Sequence, residues 1–447
     1  HGDVFTLGEK EPQRETVLEA EPAGEIAPVF DREISDLPPQ ETWRNVREFG
    51  AVGNGEVDDT EALQRALDQC AAVYLPQGTY RVTDTLHLRE GGALIGLNPI
   101  TTQLVLWENT SAWAGMGAPK AVLESCRGGY NLLSGVGIDT AARNPRAVGC
   151  KWMAGKGSYC NDIKFVGGHG QITEQQENVP TYNPSRTADY DPDRPWDSQY
   201  WSLWITENGG GTFKDIWSAS PYAEAGIFLS ETSTPGVMYQ VSVEHHVRHE
   251  ILMRNVENWK FLGIQTEEEV AESSWCQPYE LTNCRKLLFA NFYAFRVIWV
   301  DNPYPSVVRA WNCQELEFLN CHNFTQMKYT MENLYQDGNT GEKAGFWQLA
   351  KLSIPAVVPD GRLPTEKGLL RKLTGGLDCV DALCEDGKGN LYLCDSRLKR
   401  IYRWDPESQR LTLLTSLHFR PLSLACDTQG RLLVVTEYKP VKGSVVN

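Results

Sequence analysis

Two glutamates stand out by their spacing. Glu244 and Glu267 are 23 residues apart, within short β-rich runs that recur at a similar interval. In a coiled stack of strands, residues one turn apart lie one above the other at about 4.8 Å. Carboxylates that close cannot both ionise cheaply, so one stays protonated near neutral pH. A protonated carboxyl beside an ionised one is the pairing that glycoside hydrolysis uses: the acid serves the leaving oxygen, and its partner acts on water or on the anomeric carbon. The carboxyl separation distinguishes inversion from retention, and sequence spacing leaves both open. Aromatic residues crowd the same stretch: Trp196, Tyr200, Trp201, Trp204, Trp217, Tyr222 and Trp275. Rings offer flat apolar faces to sugars, and Trp217 and Tyr222 fall nearest the acids; at least half of these rings are expected in the core.

Other constellations carry less. His245, His246 and His249 are metal-ligating types, but no helix brings 245 and 249 onto one face and no CxxC pair accompanies them. No metal and no cofactor is expected. Asp139 with Arg143 or Arg146 supplies the acidic and basic groups that a calcium-dependent lyase requires. The 12 cysteines read mainly as small buried residues. Cys150/Cys160, Cys276/Cys284 and Cys313/Cys321, 8 to 10 apart, are candidate disulfides in an oxidising compartment. The sequons Asn109-Thr110-Ser111 and Asn323-Phe324-Thr325 are compatible with secretion.

The elements that must position these groups divide the chain of 447 residues into three. Residues 1–44 are acidic and proline-containing, and read as a linker or an arm lying across a neighbouring domain. From 45 a turn-rich segment leads to Asp58 and Asp59, predicted N-caps of a helix whose stripe is Ala62, Leu63, Ala66 and Leu67. From about 73 to 335, short strands separated by Gly, Asn and Asp turns recur at roughly 20 to 25 residues, which predicts an all-β solenoid over 45–358. A β-sandwich competes; the single early helix as a cap and the lack of hairpin turns favour the solenoid. In 359–447, Gly389-Asn390-Leu391 is echoed by Gly430-Arg431-Leu432 at 41 residues. That period with short strands predicts about two blades of an incomplete β-propeller, continuing past this chain. A net charge of −16 argues against nucleic acid and anionic membrane surfaces as partners. No apolar stretch reaches the roughly 18 to 20 residues of a membrane span. The opening at His1, without Met or a leader pattern, reads as a processed chain or a fragment.

The run Asn45-Val46-Arg47 through Gly53-Asn54-Gly55 to Asp58-Asp59-Thr60, with Val73-Tyr74-Leu75-Pro76 and Gly78-Thr79-Tyr80 after it, resembles the start of the pectate-lyase-like right-handed parallel β-helix. Polygalacturonases, lyases, phage tailspikes and exo-glucanases share that fold. A second match narrows the choice. Glu244-His245-His246 followed by Gln265-Thr266-Glu267, with Ala223-Glu224-Ala225-Gly226 upstream, resembles family 55 glycoside hydrolases, the exo-β-1,3-glucanases, over 45–335. The resemblance implies an exo-acting, inverting hydrolase of β-linked glucan or a related polysaccharide, with Glu267 as general acid. Glu244 is then the carboxylate that orients water, and Trp217, Tyr222, His245, Gln265 and Trp275 are expected to bind substrate.

The chain departs from that family in two ways. One β-helix stands where the family builds its site between two, so water-holding groups would lie on a preceding β-helix. Glu268-Glu269-Val270 replaces Pro and paired aromatics. Gly168-His169-Gly170 resembles a polygalacturonase element but lacks its Asn-Thr-Asp and Arg-Ile-Lys companions. The last segment resembles gluconolactonase or NHL-type propellers. The expected partner is a polysaccharide or oligosaccharide, and the expected location is outside the cell or at its surface, the periplasm included. A non-catalytic glycan-binding β-helix of the tailspike kind, and a polysaccharide lyase, remain alternatives.

Overall fold

The computed structural model describes residues 36–115, 117–167, 198–269, 273, 276–297, 304–325, 331–345, 348–356, 377, 380–396, 398–408, 410–417 and 419–436, with the backbone alone at 2–6, 13–17, 304, 305, 332 and 348. From Arg44–Asn45 onward, strands pair in parallel with the coils before and after them, forming a right-handed β-solenoid of about nine turns. Parallel pairing puts the same position of successive coils face to face, so an apolar choice in one coil is repeated in the next. Leu94, Leu133, Cys160, Phe213, Met238, Phe261, Phe289 and Phe318 form one such inward column, all buried. Its last three rings stack with centroids 4.8 Å apart. Cys150, Leu203, Ile227, Ile251, Tyr279 and Val308 form another on a second sheet.

The column spacing refines the expected repeat. Phe213, Met238 and Phe261 follow at 25 and 23 residues, whereas Leu94 to Leu133 takes 39 and Cys160 to Phe213 takes 53. Extra chain enters at the corners while the stacked strands keep register. Cys150 and Cys160 occupy these columns as small apolar residues. Cys150, Cys160, Cys276, Cys284, Cys313 and Cys321 are buried free thiols, so none of the three spacing-based disulfides exists. Asn323 is also buried, its amide spent on the Met331 carbonyl at 3.0 Å, which removes that sequon as a glycan acceptor.

The helix Thr60–Gln69 caps the first coil and buries Ala62, Leu63, Ala66 and Leu67, as its periodicity requires. Asp59 stands at the N-cap without capping through its side chain. Its buried carboxylate accepts instead from the backbone of Val52 (2.6 Å) and Gly53 (2.9 Å), and so closes the glycine turn ahead of the helix. At the other end, Gln348–Ile354 pairs antiparallel with Gln314–Thr325. Gly2–Thr6 then adds in parallel to Lys351, Leu352 and Ser353, and Gln13–Val17 pairs antiparallel to it. The expected N-terminal arm thus places two strands on this chain's own last coil, covering an edge that would otherwise offer unpaired backbone groups.

Val380–Glu385, Leu391–Asp395, Arg400–Asp405 and Arg410–Ser416 form an antiparallel meander, and Pro421–Cys426 with Leu432–Thr436 a hairpin. The meander is pinned to the solenoid by Arg400, which reaches the fully buried Glu280 (2.5 Å) and His249 (2.5 Å). Burial pushes the Glu280 carboxyl up, but Arg400 and His249 outweigh it and hold the group at about 2; burial pushes His249 down to about 4. Both folded values lie below the ordinary 4.5 and 6.5. The stability they contribute is therefore present above those ordinary values and lost as pH falls through the folded ones. Hydrogen-exchange protection of the meander should fall on acidification from about pH 6.5 downward. Arg400→Met, which strands Glu280, should weaken docking by about 3–5 kcal/mol, and Arg400→Met with Glu280→Leu should recover most of it.

Candidate active site

One residue in each of six successive coils bends the chain within one continuous sheet. Asp162, Asp215, Gln240, Asn291 and Asn320 have φ of 51, 51, 56, 56 and 47°, and Gly263 has 63°. Asp, Asn and Gly tolerate this left-handed conformation best, and Gln240 is the long-chain exception. After each bend the second residue lies on the outward side, and from Gln240 onward the fourth does too, while the residues flanking the second are buried. Trp217, Ser242, Gln265, Tyr293 and His322 make the first outward column. Glu244, Glu267, Phe295 and Phe324 make the second. Ser218, Val243, Thr266, Ala294 and Asn323 point inward between them.

Glu244 and Glu267 are therefore register partners on adjacent parallel strands, Gly236–Glu244 and His249–Glu268. Their tethers differ. Trp217 Nε1, from the preceding coil, donates to Glu244 Oε1. Gln265 Nε2 donates to Glu267 Oε2 at 3.0 Å, and Ser242 Oγ donates to Gln265 Oε1. His245, only 1% exposed, has its Nε2 3.6 Å from Glu244 Oε2, and its backbone N–H donates to the Glu267 carbonyl at 3.3 Å. Partial burial and then the Glu244 charge raise the Glu267 carboxyl to about 7, with His245 and Gln265 pulling the other way. An acid at that value can hold a proton at neutral pH and release it.

The interior beneath the pair is polar, which sequence reasoning missed. Ser218 Oγ lies 2.9 Å from His246 Nε2, and His246 Nδ1 lies 2.5 Å from Glu250 Oε2. Glu268 faces Arg296 Nε at 3.6 Å. Burial pushes both Glu250 and Glu268 well above the usual carboxylate range. The three histidines diverge: His245 toward Glu244, His246 into the interior, His249 toward Glu280 on another sheet. They do not form a shared ligand set.

The other expected residues scatter. Trp217 is at the site, but Lys164 Nζ sits over its ring at 4.7 Å and its N–H is spent on Glu244. It orients an acid more than it offers a platform. Tyr222 is only 4% exposed and packs against Ala142, away from the pair. His245 is sealed beneath Glu244, so it can position that carboxylate and has no face for a sugar. Trp201 and Trp204 cluster with Phe228 on the sheet that carries His249. Asp139 aligns with Val166, on earlier coils, and the Arg146 guanidinium is spent on the carbonyls of Ala118 (3.0 Å) and Ala112 (3.4 Å). Trp196, Trp275 and the Gly168-His169-Gly170 element lie outside the described residues. A separate groove of about 590 Å³ runs along Asn208, Asn255, Asn283 and Asn312, with Glu231, Glu257, Arg285 and Arg410. Its polar lining lacks a ring, and neither member of the acid pair borders it.

Residues 43–187 match the family described as Rhamnogalacturonase A/epimerase, pectate lyase-like. The chain is 24% identical over 253 residues to "Probable glucan endo-1,3-beta-glucosidase" of Arthroderma benhamiae, covering 52% of this chain and 28% of that protein. A 59-residue stretch is 42% identical to "Alginate lyase 7" of Azotobacter vinelandii, 12% of this chain and 7% of the other. The chain thus spans about a quarter or less of these relatives. Among solved structures, sacteLam55A from Streptomyces sp. SirexAA-E has a TM-score of 0.44 at 13% identity, covering 66% of this chain and 53% of that one. The phiAB6 tailspike, in complex with oligosaccharides of Acinetobacter baumannii surface polysaccharide, has 0.43 at 12%, covering 88% and 62%.

Because Glu267 titrates higher when folded than the ordinary 4.5, the protein loses stability as pH rises from that value through about 7. Glu267→Gln should match the wild-type melting temperature at low pH and exceed it increasingly up to about pH 7, then by a constant margin. A constant difference across the whole range would contradict the assignment.

Proposed function

We propose that this chain carries the catalytic β-helix of a glycoside hydrolase that cleaves β-linked glucan, or a related polysaccharide, from a chain end. Glu267 is the general acid, and Glu244 is the carboxylate that orients the attacking water. The observation that carries the reading is the register pairing of Glu244 with Glu267, with the Glu267 carboxyl raised to about 7. The proton it retains goes to the glycosidic oxygen as the C–O bond breaks, and water supplies the new hydroxyl.

The tethers support inversion. Trp217 draws the Glu244 carboxylate toward the preceding coil, while Gln265 holds Glu267 along its own strand. Both act to open the carboxyls beyond the strand spacing of about 4.8 Å, toward the roughly 6.5–9.5 Å that a water needs between them. The names of the relatives, a glucan glucosidase above all, support a glycan substrate. Further water-holding groups belong, on this reading, to a preceding β-helix. Meander and hairpin, offset by 41 residues, are read as the beginnings of two propeller blades. No described helix is long and apolar enough to cross a membrane; the proposed location is extracellular or cell-surface.

Glu267→Gln should lower kcat on glucans by about 10²–10⁴-fold while retaining glycan binding, and the wild-type rate should fall as pH rises through about 7. Gln265→Leu removes a hydrogen bond that favours the ionised acid, so its alkaline limb should move upward. A protein that binds glycans with no turnover to lose is a binding β-helix. Unsaturated products absorbing in the near ultraviolet would identify a lyase.

A further inference from the structure

The outward columns change character on one side of the acid pair. Toward the N-terminus the neighbours of Glu244 are Trp217 and Lys164, tied up as described. Toward the C-terminus the next two coils present rings. Phe295 is the register partner of Glu267, Phe324 is the partner of Phe295, and Tyr293 is that of Gln265. The rings are nearly parallel: Tyr293 and Phe295 at 14° with centroids 6.2 Å apart, Phe295 and Phe324 at 4° and 5.9 Å. Tyr293 is 41% and Phe324 47% exposed. Among the described residues from 108 to 379, these two are the only exposed large apolar side chains. An apolar patch confined to one flank of an acid pair, on a face otherwise polar, marks a binding surface.

Resting on the hydrolase reading above, we propose that Tyr293, Phe295 and Phe324 hold the leaving-group portion of the glycan. The order of the coils assigns the side. Glu244, which handles water, lies before Glu267, and the rings lie after it. The acid protonates the oxygen between the attacked sugar and the leaving chain, so the leaving chain runs over the rings. Phe295 and Phe324, on adjacent coils, have centroids 5.9 Å apart, which lets the apolar faces of consecutive pyranose units meet them while their hydroxyl rims stay wet. For a hydrolase that removes terminal sugars, the leaving group is the body of the polymer. The strip therefore selects long substrates over short ones.

The test uses β-1,3-linked gluco-oligosaccharides from two to five units with the full chain. Wild type should gain kcat/KM with length, and Phe295→Ala/Phe324→Ala should lose about tenfold on the pentasaccharide, with a smaller loss on the disaccharide and the change in KM. Binding is measured separately by calorimetry on Glu267→Gln with and without the two ring substitutions, after matching melting temperatures. Weaker pentasaccharide binding without the rings, even where wild type shows no turnover, supports the strip and overturns only the hydrolase reading. Turnover that is length-independent, equal loss at every length, or binding of Glu267→Gln unaffected by losing the rings overturns the strip. Absence of any binding to Glu267→Gln overturns it for these glucans as well. Phe324→Trp in the Ala-free chain should preserve the length dependence.

Discussion

Everything in this molecule depends on parallel register held across a bend. Six successive coils each carry one residue in the left-handed region at the same place, so the strand bends there each time and the residues after it repeat their directions. Asp162, Asp215, Gln240, Gly263, Asn291 and Asn320 form that series. The bends set the two outward columns, bring Glu244 beside Glu267, and line up the rings beyond them. The same register stacks Phe261, Phe289 and Phe318 inside. One geometric rule thus builds the core and the site together, and a slipped coil would damage both.

The electrostatics of the pair follow from that placement. Partial burial contributes most to raising the Glu267 carboxyl, and the neighbouring Glu244 adds to it. His245 opposes the shift, held close by a backbone with φ of 72° and by burial. Below, Glu268 with Arg296 and Glu250 with His246 fill space that apolar residues could occupy. Buried ionisable groups are costly unless paired or neutral. Here they are hydrogen-bonded, ion-paired or pushed toward the neutral form by burial. An apolar interior would serve folding alone at least as well.

Much of this was legible in the residues. The 23-residue interval between Glu244 and Glu267 is a single coil, and Ala62, Leu63, Ala66 and Leu67 face the core as their spacing implies. Tyr222 was misplaced because proximity in sequence to Trp217 does not survive the corner that follows Ala219; the chain enters another sheet there. The disulfide spacings failed because closeness in sequence does not bring side chains together here: Cys150 and Cys160, 10 apart, fall on columns of different sheets, and all six thiols are buried and free. The ring strip was missed, although its signal is present. Asn291 and Asn320 each stand two residues before an aromatic or histidine and four before a phenylalanine, the same offsets as from Gln240 to Ser242 and Glu244. The buried Arg400–Glu280 contact joins residues 120 apart, and no local pattern announces it.

The pairing claim can be tested without any substrate. Carbon NMR of the glutamate carboxyls, with Glu267→Gln used to assign the signal, reports the protonation of that group directly. A midpoint near 7 for Glu267, moving downward in Glu244→Gln, is what two carboxyls sharing one cleft require. A midpoint in the ordinary carboxylate range, unmoved by losing Glu244, would mean that the two acids do not act on one another.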